Sequence, residues 1–321
     1  MGRYTINNRV KIYFDVAGKK SPALVLLSGF GGDRLLWKYN VKELSKHFTV
    51  ITIDNRGAGK SDHADEYTME KFAADVKCVL HELDISSVHI AGTSMGGLIA
   101  LQFYRDYPEM VKSISLISSI AGIPKRFQKL VEKLIKNSVY NIAGGYFIPK
   151  MIDAYNSVIM KRKEGGGAIF ENFALPEFDM DVVNFLVGNV RKTLTKETYF
   201  EMIEKYVVYK INDKIIDFFE SALKQKDNPC DKKGQLEAVL KCTHHHALKS
   251  IEVPVLILHG KNDKILNLNE AVYLNKNIKN SDLIVYGNCG HLLFMENVER
   301  FNQDLIRFIK SIDENGEKIA V

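Results

Sequence analysis

Residues Ile90–Gly97 read "IAGTSMGG", and the fold of the chain turns on how this stretch is read. The run "VHIAG" (88–92) is short and apolar, as a strand buried on both faces of a parallel sheet must be. From Met95 the pattern is helical to about Tyr107, where Pro108 stops it. Between them, Gly92-Thr93-Ser94-Met95-Gly96 fits G-x-S-x-G, placed directly after a strand and directly before a helix. A strand turning at once into a helix forces the middle residue into a strained conformation with its side chain raised above the sheet. The two segments pass too close for Cβ atoms, so the flanking positions are glycine. The helix start offers backbone N–H groups with no intrahelical acceptor, suited to developing negative charge. Ser94 is therefore read as a nucleophile and not as a passive serine in a glycine-rich turn.

Similar apolar runs lie on either side. "ALVLLSG" (23–29), "FTVITID" (48–54), "VKSISLISS" (111–119), "VPVLILHG" (253–260) and "SDLIVYG" (281–287) predict further parallel strands. "YTINNRVKIYFDVAG" predicts an N-terminal hairpin turning at Asn7-Asn8. Thr68 is an expected N-cap for a helix through Leu83, with Met69, Phe72, Val76, Val79, Leu80 and Leu83 on one stripe. A last helix over roughly 297–311 carries Val298, Phe301, Leu305, Phe308 and Ile309 on one face. Strands alternating with helices give an α/β architecture. Residues 121–249 break this rhythm: they read as almost wholly helical, with a Gly165-Gly166-Gly167 hinge. The expected organisation is a core from 1–120 and 250–321, interrupted by a helical cap at 121–249. The cap holds 21 Lys and Arg against 16 Asp and Glu, so it carries the whole net charge of +5 and the core is neutral. Its aromatic and Met residues (Phe127, Tyr140, Tyr146, Phe147, Met151, Tyr155, Phe170 and Phe173) suit an apolar wall over the site.

Composition narrows the class. The chain has 321 residues, 46% hydrophobic and 26% charged, as in an ordinary soluble protein. No apolar run approaches the roughly 20 residues needed to span a bilayer. "MGRYTINNRV" lacks a signal-peptide apolar stretch, and Ile6 breaks the myristoylation pattern. Cys78, Cys230, Cys242 and Cys289 form no CxxC pair, which argues against a zinc site or a disulfide framework and for a cytoplasmic location. His244-His245-His246 points in diverging directions with no fourth ligand nearby, so no metal and no cofactor are expected. A net charge of +5 without a basic–aromatic motif argues against nucleic acid. The expected partner is a small-molecule acyl substrate, and the expected state a monomer or homodimer.

A nucleophilic serine needs a base and an acid to orient it. Among nine histidines, His291 stands out, in "GNCGHLLFMENVE" between the last strand and the last helix. His47, His63, His81 and His89 lie in helix or strand text without evident partners. Asp263 follows the strand ending "LHG" and precedes His291 by 28 residues, one helix plus one strand. That places the two loops side by side at one sheet edge. The preceding strand ends "LISSIAG" and offers no rival carboxylate. In "LLSGFGGDRLLW" (26–37), Gly29 lets the backbone curl, and the N–H of Phe30, with that of Met95, would form the oxyanion hole.

With these residues in place, the sequence resembles the α/β-hydrolase superfamily, in its cap-bearing branch of esterases, enol-lactonases, perhydrolases and C–C bond hydrolases. The resemblance covers about 20–118 and 250–312, and rests also on "DNRGAGKSD" (54–62), "YPEMVKSISLISS" and "VPVLILHGKND". It implies a mostly parallel twisted sheet with an N-terminal antiparallel hairpin and a cap. It also implies ester, lactone or thioester hydrolysis through Ser94, His291 and Asp263. C–C bond hydrolysis or proline-type amide cleavage are the alternatives, and a non-catalytic signalling role is a third. One departure is Ser28, where the family usually carries a histidine that steadies the oxyanion loop.

Overall fold

The computed structural model describes residues 2–123, 195–223 and 229–315. Eight strands form one sheet: β1 (Arg3–Asn7), β2 (Val10–Ala17), β3 (Ala23–Leu27), β4 (Thr49–Ile53), β5 (Val88–Thr93), β6 (Val111–Ile117), β7 (Val255–Gly260) and β8 (Ser281–Tyr286). Their order is β1-β2-β4-β3-β5-β6-β7-β8, with β1 and β2 antiparallel and the rest parallel. The hairpin turns one residue later than the sequence predicts, since Asn8 and Arg9 are the residues with positive φ. Asn7 stays in the strand because its side-chain amide donates to the buried carboxylate of Asp75 at 2.8 Å.

Among the described residues the α-helices are α1 (Lys38–Leu44), α2 (Met69–Glu82), α3 (Met95–Asp106), α4 (Lys196–Tyr206), α5 (Asp213–Leu223), α6 (Pro229–Lys241), α7 (Leu268–Asn277), α8 (Leu293–Glu296) and α9 (Val298–Asn315). Thr68 caps α2 as its residue type predicts, accepting from Lys71 N at 3.2 Å. The last helix runs further than expected, to Asn315.

Two apolar layers cover the sheet. On one face Phe72, Val76 and Leu80 of α2 pack with Leu98, Ile99 and Phe103 of α3 and Leu274 of α7. On the other, Trp37 and Leu44 pack with Phe294 of α8, Phe301, Leu305 and Phe308 of α9, and Tyr199 and Ile203 of α4. The central strands are buried on both faces, which is why they read as continuous apolar runs and not as alternating ones.

The described parts of 121–249 include α4, α5 and α6. The Gly165–Gly167 hinge and the aromatic and Met residues expected to line the site (Phe127 to Phe173) lie outside the described residues. Among the described residues no helix is long and apolar enough to cross a membrane, and no group of three or more His, Cys, Asp or Glu side chains is placed to hold a metal ion. The histidine triplet splits as its spacing suggests. His244 turns to the Leu98 carbonyl and Cys242, and His245 to the Gly122 carbonyl and Tyr273.

Candidate active site

All three triad candidates stand at the carboxyl edge of the parallel strands. Ser94 follows β5 and opens α3 with φ 53° and ψ −118°. This is a left-handed conformation that a non-glycine residue adopts only under constraint. The constraint is the strand-to-helix turn, where a Cβ at Gly92 would collide with the Gly96 carbonyl and a Cβ at Gly96 with the Leu27 carbonyl. The elbow is pinned on both sides. Ser94 N donates to Ile117 O at 2.9 Å, and Ser119 Oγ donates to Ser94 O at 2.8 Å.

Asp263 lies in the loop after β7, buried, with each carboxylate oxygen committed. Oδ1 accepts from Ile265 N and Leu266 N, both at 2.9 Å, and Oδ2 from His291 Nδ1 at 2.8 Å. Burial by itself would push this carboxyl up. The charge and hydrogen bond of His291 and the Leu266 N–H outweigh it, so the pKa falls below the ordinary value. The bond to Nδ1 leaves the Nε2 of His291 as the proton acceptor. Among the described residues no hydrogen bond joins Ser94 Oγ to His291. Ser94 and His291 share the strand edge without that bond.

The loop expected to form the oxyanion hole is also at this edge. A Cβ on Gly29 would stand 3.2 Å from Ser94 Cβ, so the loop backbone passes directly over the serine. Met95 N is the first N–H of α3 and has no intrahelical acceptor. No acceptor for the Phe30 N–H is found among the described residues. Ser28, standing where the resembled family usually has histidine, braces the loop by different bonds. Its Oγ donates to Asp33 O at 2.7 Å, and its carbonyl accepts from Asn55 Nδ2 at 3.0 Å.

Three supporting residues are visible only in the fold. His259, fully buried, donates Nε2–H to Leu266 O at 2.9 Å and passes 3.5 Å from Asp263 Oδ2. Burial lowers its pKa, so it is a neutral brace for the Asp263 loop and not a second cation. Glu296 ties the His291 loop to the segment after α4, accepting from Gly290 N at 2.8 Å and Tyr209 N at 2.7 Å. Burial pushes its carboxyl up to about 7, against the pull of those N–H groups. The same segment accepts from the His291 N–H through Val207 O at 2.8 Å. Two histidines expected to lack partners have them. His63 meets Asp231 of α6, and His89 meets Ser113 and Asp313.

Known proteins are similar to this chain in sequence and in fold. A hydrolase of Burkholderia vietnamiensis named for 2-hydroxy-6-oxononadienedioate and 2-hydroxy-6-oxononatrienedioate is 25% identical over 309 residues, covering 94% of this chain and 91% of its own. Among solved structures, an esterase from Exiguobacterium antarcticum superposes with a TM-score of 0.68 at 20% identity, over 97% of this chain and 100% of its own. A meta-cleavage product hydrolase from Pseudomonas fluorescens IP01 superposes with a TM-score of 0.70 at 18% identity, over 96% and 97%. The family profile described as the alpha/beta hydrolase fold matches residues 22–138 and 203–298. With more than half of its length matched and the strand-to-helix elbow in place, the chain belongs to the α/β-hydrolase fold family.

Proposed function

We propose that the chain is a serine hydrolase that cleaves the carboxylic ester of a small molecule, a lactone or thioester being chemically equivalent. The observation that carries this is the left-handed Ser94 at the β5–α3 turn, on the edge that also holds the Asp263–His291 pair. His291 Nε2 takes the Ser94 hydroxyl proton as Oγ attacks the acyl carbon. Asp263 holds the imidazole in the required tautomer and stabilises its charged form. The N–H groups of Phe30 and Met95 receive the developing oxyanion. His291 returns its proton to the leaving oxygen, then activates water to release the acid from the acyl-enzyme.

The names of the relatives favour a second reading, since hydrolases of C–C bonds are among them. That chemistry draws on the same three residues, so only turnover separates the two. A panel of p-nitrophenyl esters of varied chain length is to be assayed beside a C–C hydrolase substrate and a proline arylamide. Ester turnover is expected, with Ser94→Ala abolishing both turnover and labelling by an active-serine phosphonate. Full labelling of the alanine variant would rule out Ser94 as the nucleophile.

A further inference from the structure

The residues Gly29–Gly32 make a tight turn closed by Gly32 N donating to Gly29 O at 3.1 Å. Gly31 has φ +66°, while Phe30 has no positive φ, which is the signature of a type II turn. The commoner type I turn differs by rotation of the central Phe30–Gly31 peptide. That rotation turns the Phe30 carbonyl and the Gly31 N–H, whereas the N–H of Phe30, the expected oxyanion donor, belongs to the preceding Gly29–Phe30 peptide and moves only when the whole turn shifts. The central peptide is held by one contact from far along the chain: Gly31 N donates to Gln235 Oε1 at 2.9 Å. Gln235 lies on α6 and is 1% exposed. Its other amide atom is also engaged, Nε2 donating to Arg56 O at 3.0 Å. Each half of the amide therefore has a partner of the right polarity, and a flip would set donor against donor and acceptor against acceptor. The anchor is itself rigid. Arg56 makes a two-point contact with Asp75, at 2.8 and 2.7 Å, and α6 is tied down again by Asp231, which meets His63 and Tyr67.

We propose that Gln235 is a positioning residue that pins the tip of the Gly29–Gly32 turn through Gly31 N and so keeps the turn, with the Phe30 N–H on its first peptide, in place at the substrate oxyanion. The proposal rests on the serine-hydrolase reading above. Ser28 and Asn55 brace the entry to the loop, whereas Gln235 holds its tip. The segment between β6 and β7 then takes part in oxyanion stabilisation from a residue that never touches substrate.

The test uses the full chain and p-nitrophenyl butyrate, with Gln235→Leu and Gln235→Glu. Three quantities are compared: kcat and KM, affinity for a trifluoromethyl ketone, and affinity for butyramide. The ketone adds reversibly to Ser94 Oγ, whose proton passes to His291 while the carbonyl oxygen becomes an oxyanion in the hole. Butyramide binds without forming that charge. A loosened oxyanion donor should lower kcat of Gln235→Leu by about 10- to 100-fold with KM changed by less than about threefold. Ketone affinity should fall by a similar factor and butyramide affinity should hold. Gln235→Glu, kept protonated by burial, retains an acceptor for Gly31 N and an O–H donor for Arg56 O, and should recover kcat to within about fivefold of the parent. If the leucine variant does not fold, Gln235→Asn, whose amide is one carbon too short for Gly31, should show the same split. The proposal is overturned if kcat of the variant that folds stays within about threefold of the parent, or if ketone and butyramide affinities fall together. A parent that turns over no ester and forms no ketone adduct would instead defeat the serine-hydrolase reading, and this is seen before any Gln235 variant is made.

Discussion

Replacing Asp263 by Asn tests the proposed triad most sharply, because the structure dictates which way the new amide must point. Oδ1 of Asp263 accepts from two backbone N–H groups, those of Ile265 and Leu266, and Oδ2 accepts from His291 Nδ1. An Asn amide has one oxygen and one NH2. If the NH2 faced the Leu266 loop, two N–H groups would be left without an acceptor, at about 1–3 kcal/mol each where they are buried. The oxygen therefore stays with the loop and the NH2 turns to His291. His291 must then offer Nδ1 as an acceptor and carry its proton on Nε2, the nitrogen that has to take the proton of Ser94. The fold should survive, since the loop bonds are kept, while kcat should fall by about 10⁴-fold, which is about 5.5 kcal/mol of transition-state stabilisation. The assay is steady-state hydrolysis of a p-nitrophenyl ester at pH 7, beside thermal unfolding of the same preparation. A folded Asp263→Asn enzyme within about tenfold of the parent kcat would refute the argument and show that His291 needs no carboxylate to set its tautomer.

Two further predictions concern stability. Arg56 and Asp75 form a buried pair, each 2% exposed, so Arg56→Met leaves an uncompensated carboxylate and should cost about 3–5 kcal/mol in urea unfolding. Arg56→Met combined with Asp75→Leu should recover more than half of that loss, and a double variant as unstable as the single one would contradict it. Glu270 is 4% exposed with Oε1 unpaired among the described residues, and burial pushes its carboxyl from the ordinary 4.5 up to about 8. The folded state thus holds this proton more tightly than the unfolded chain. Its stabilising contribution is complete below about pH 4.5 and is lost as pH rises through about 8, at up to about 1.4 kcal/mol per pH unit. Glu270→Gln should flatten the decline in stability between pH 5 and pH 9, and superimposable pH profiles for parent and variant would show that the group titrates normally.

Much of the fold follows from local text. The apolar runs at 23–27, 49–53, 88–93 and 255–260 are strands because a strand buried on both faces has no polar side to alternate with. The elbow at Ser94 was legible because its constraint is short-range, glycines crowded by backbone within a few residues or on the adjoining strand. Asp263 and His291 were legible from chain order, since successive parallel strands deliver their loops to the same edge. The bonds that brace these residues left no such trace. Gln235 meets Gly31 across 204 residues, Asp231 meets His63 across 168, and Glu296 meets Tyr209 across 87. Glutamine, aspartate and glutamate on helices read as solvated surface in a sequence, and the partners are mostly backbone groups, which have no residue type to announce them. Periodicity records which face of an element is apolar, but not which polar group across the fold will meet a buried N–H. Only the packing of helices against the strand edge decides that, because an N–H withdrawn from water must find its acceptor wherever the chain has brought one within reach.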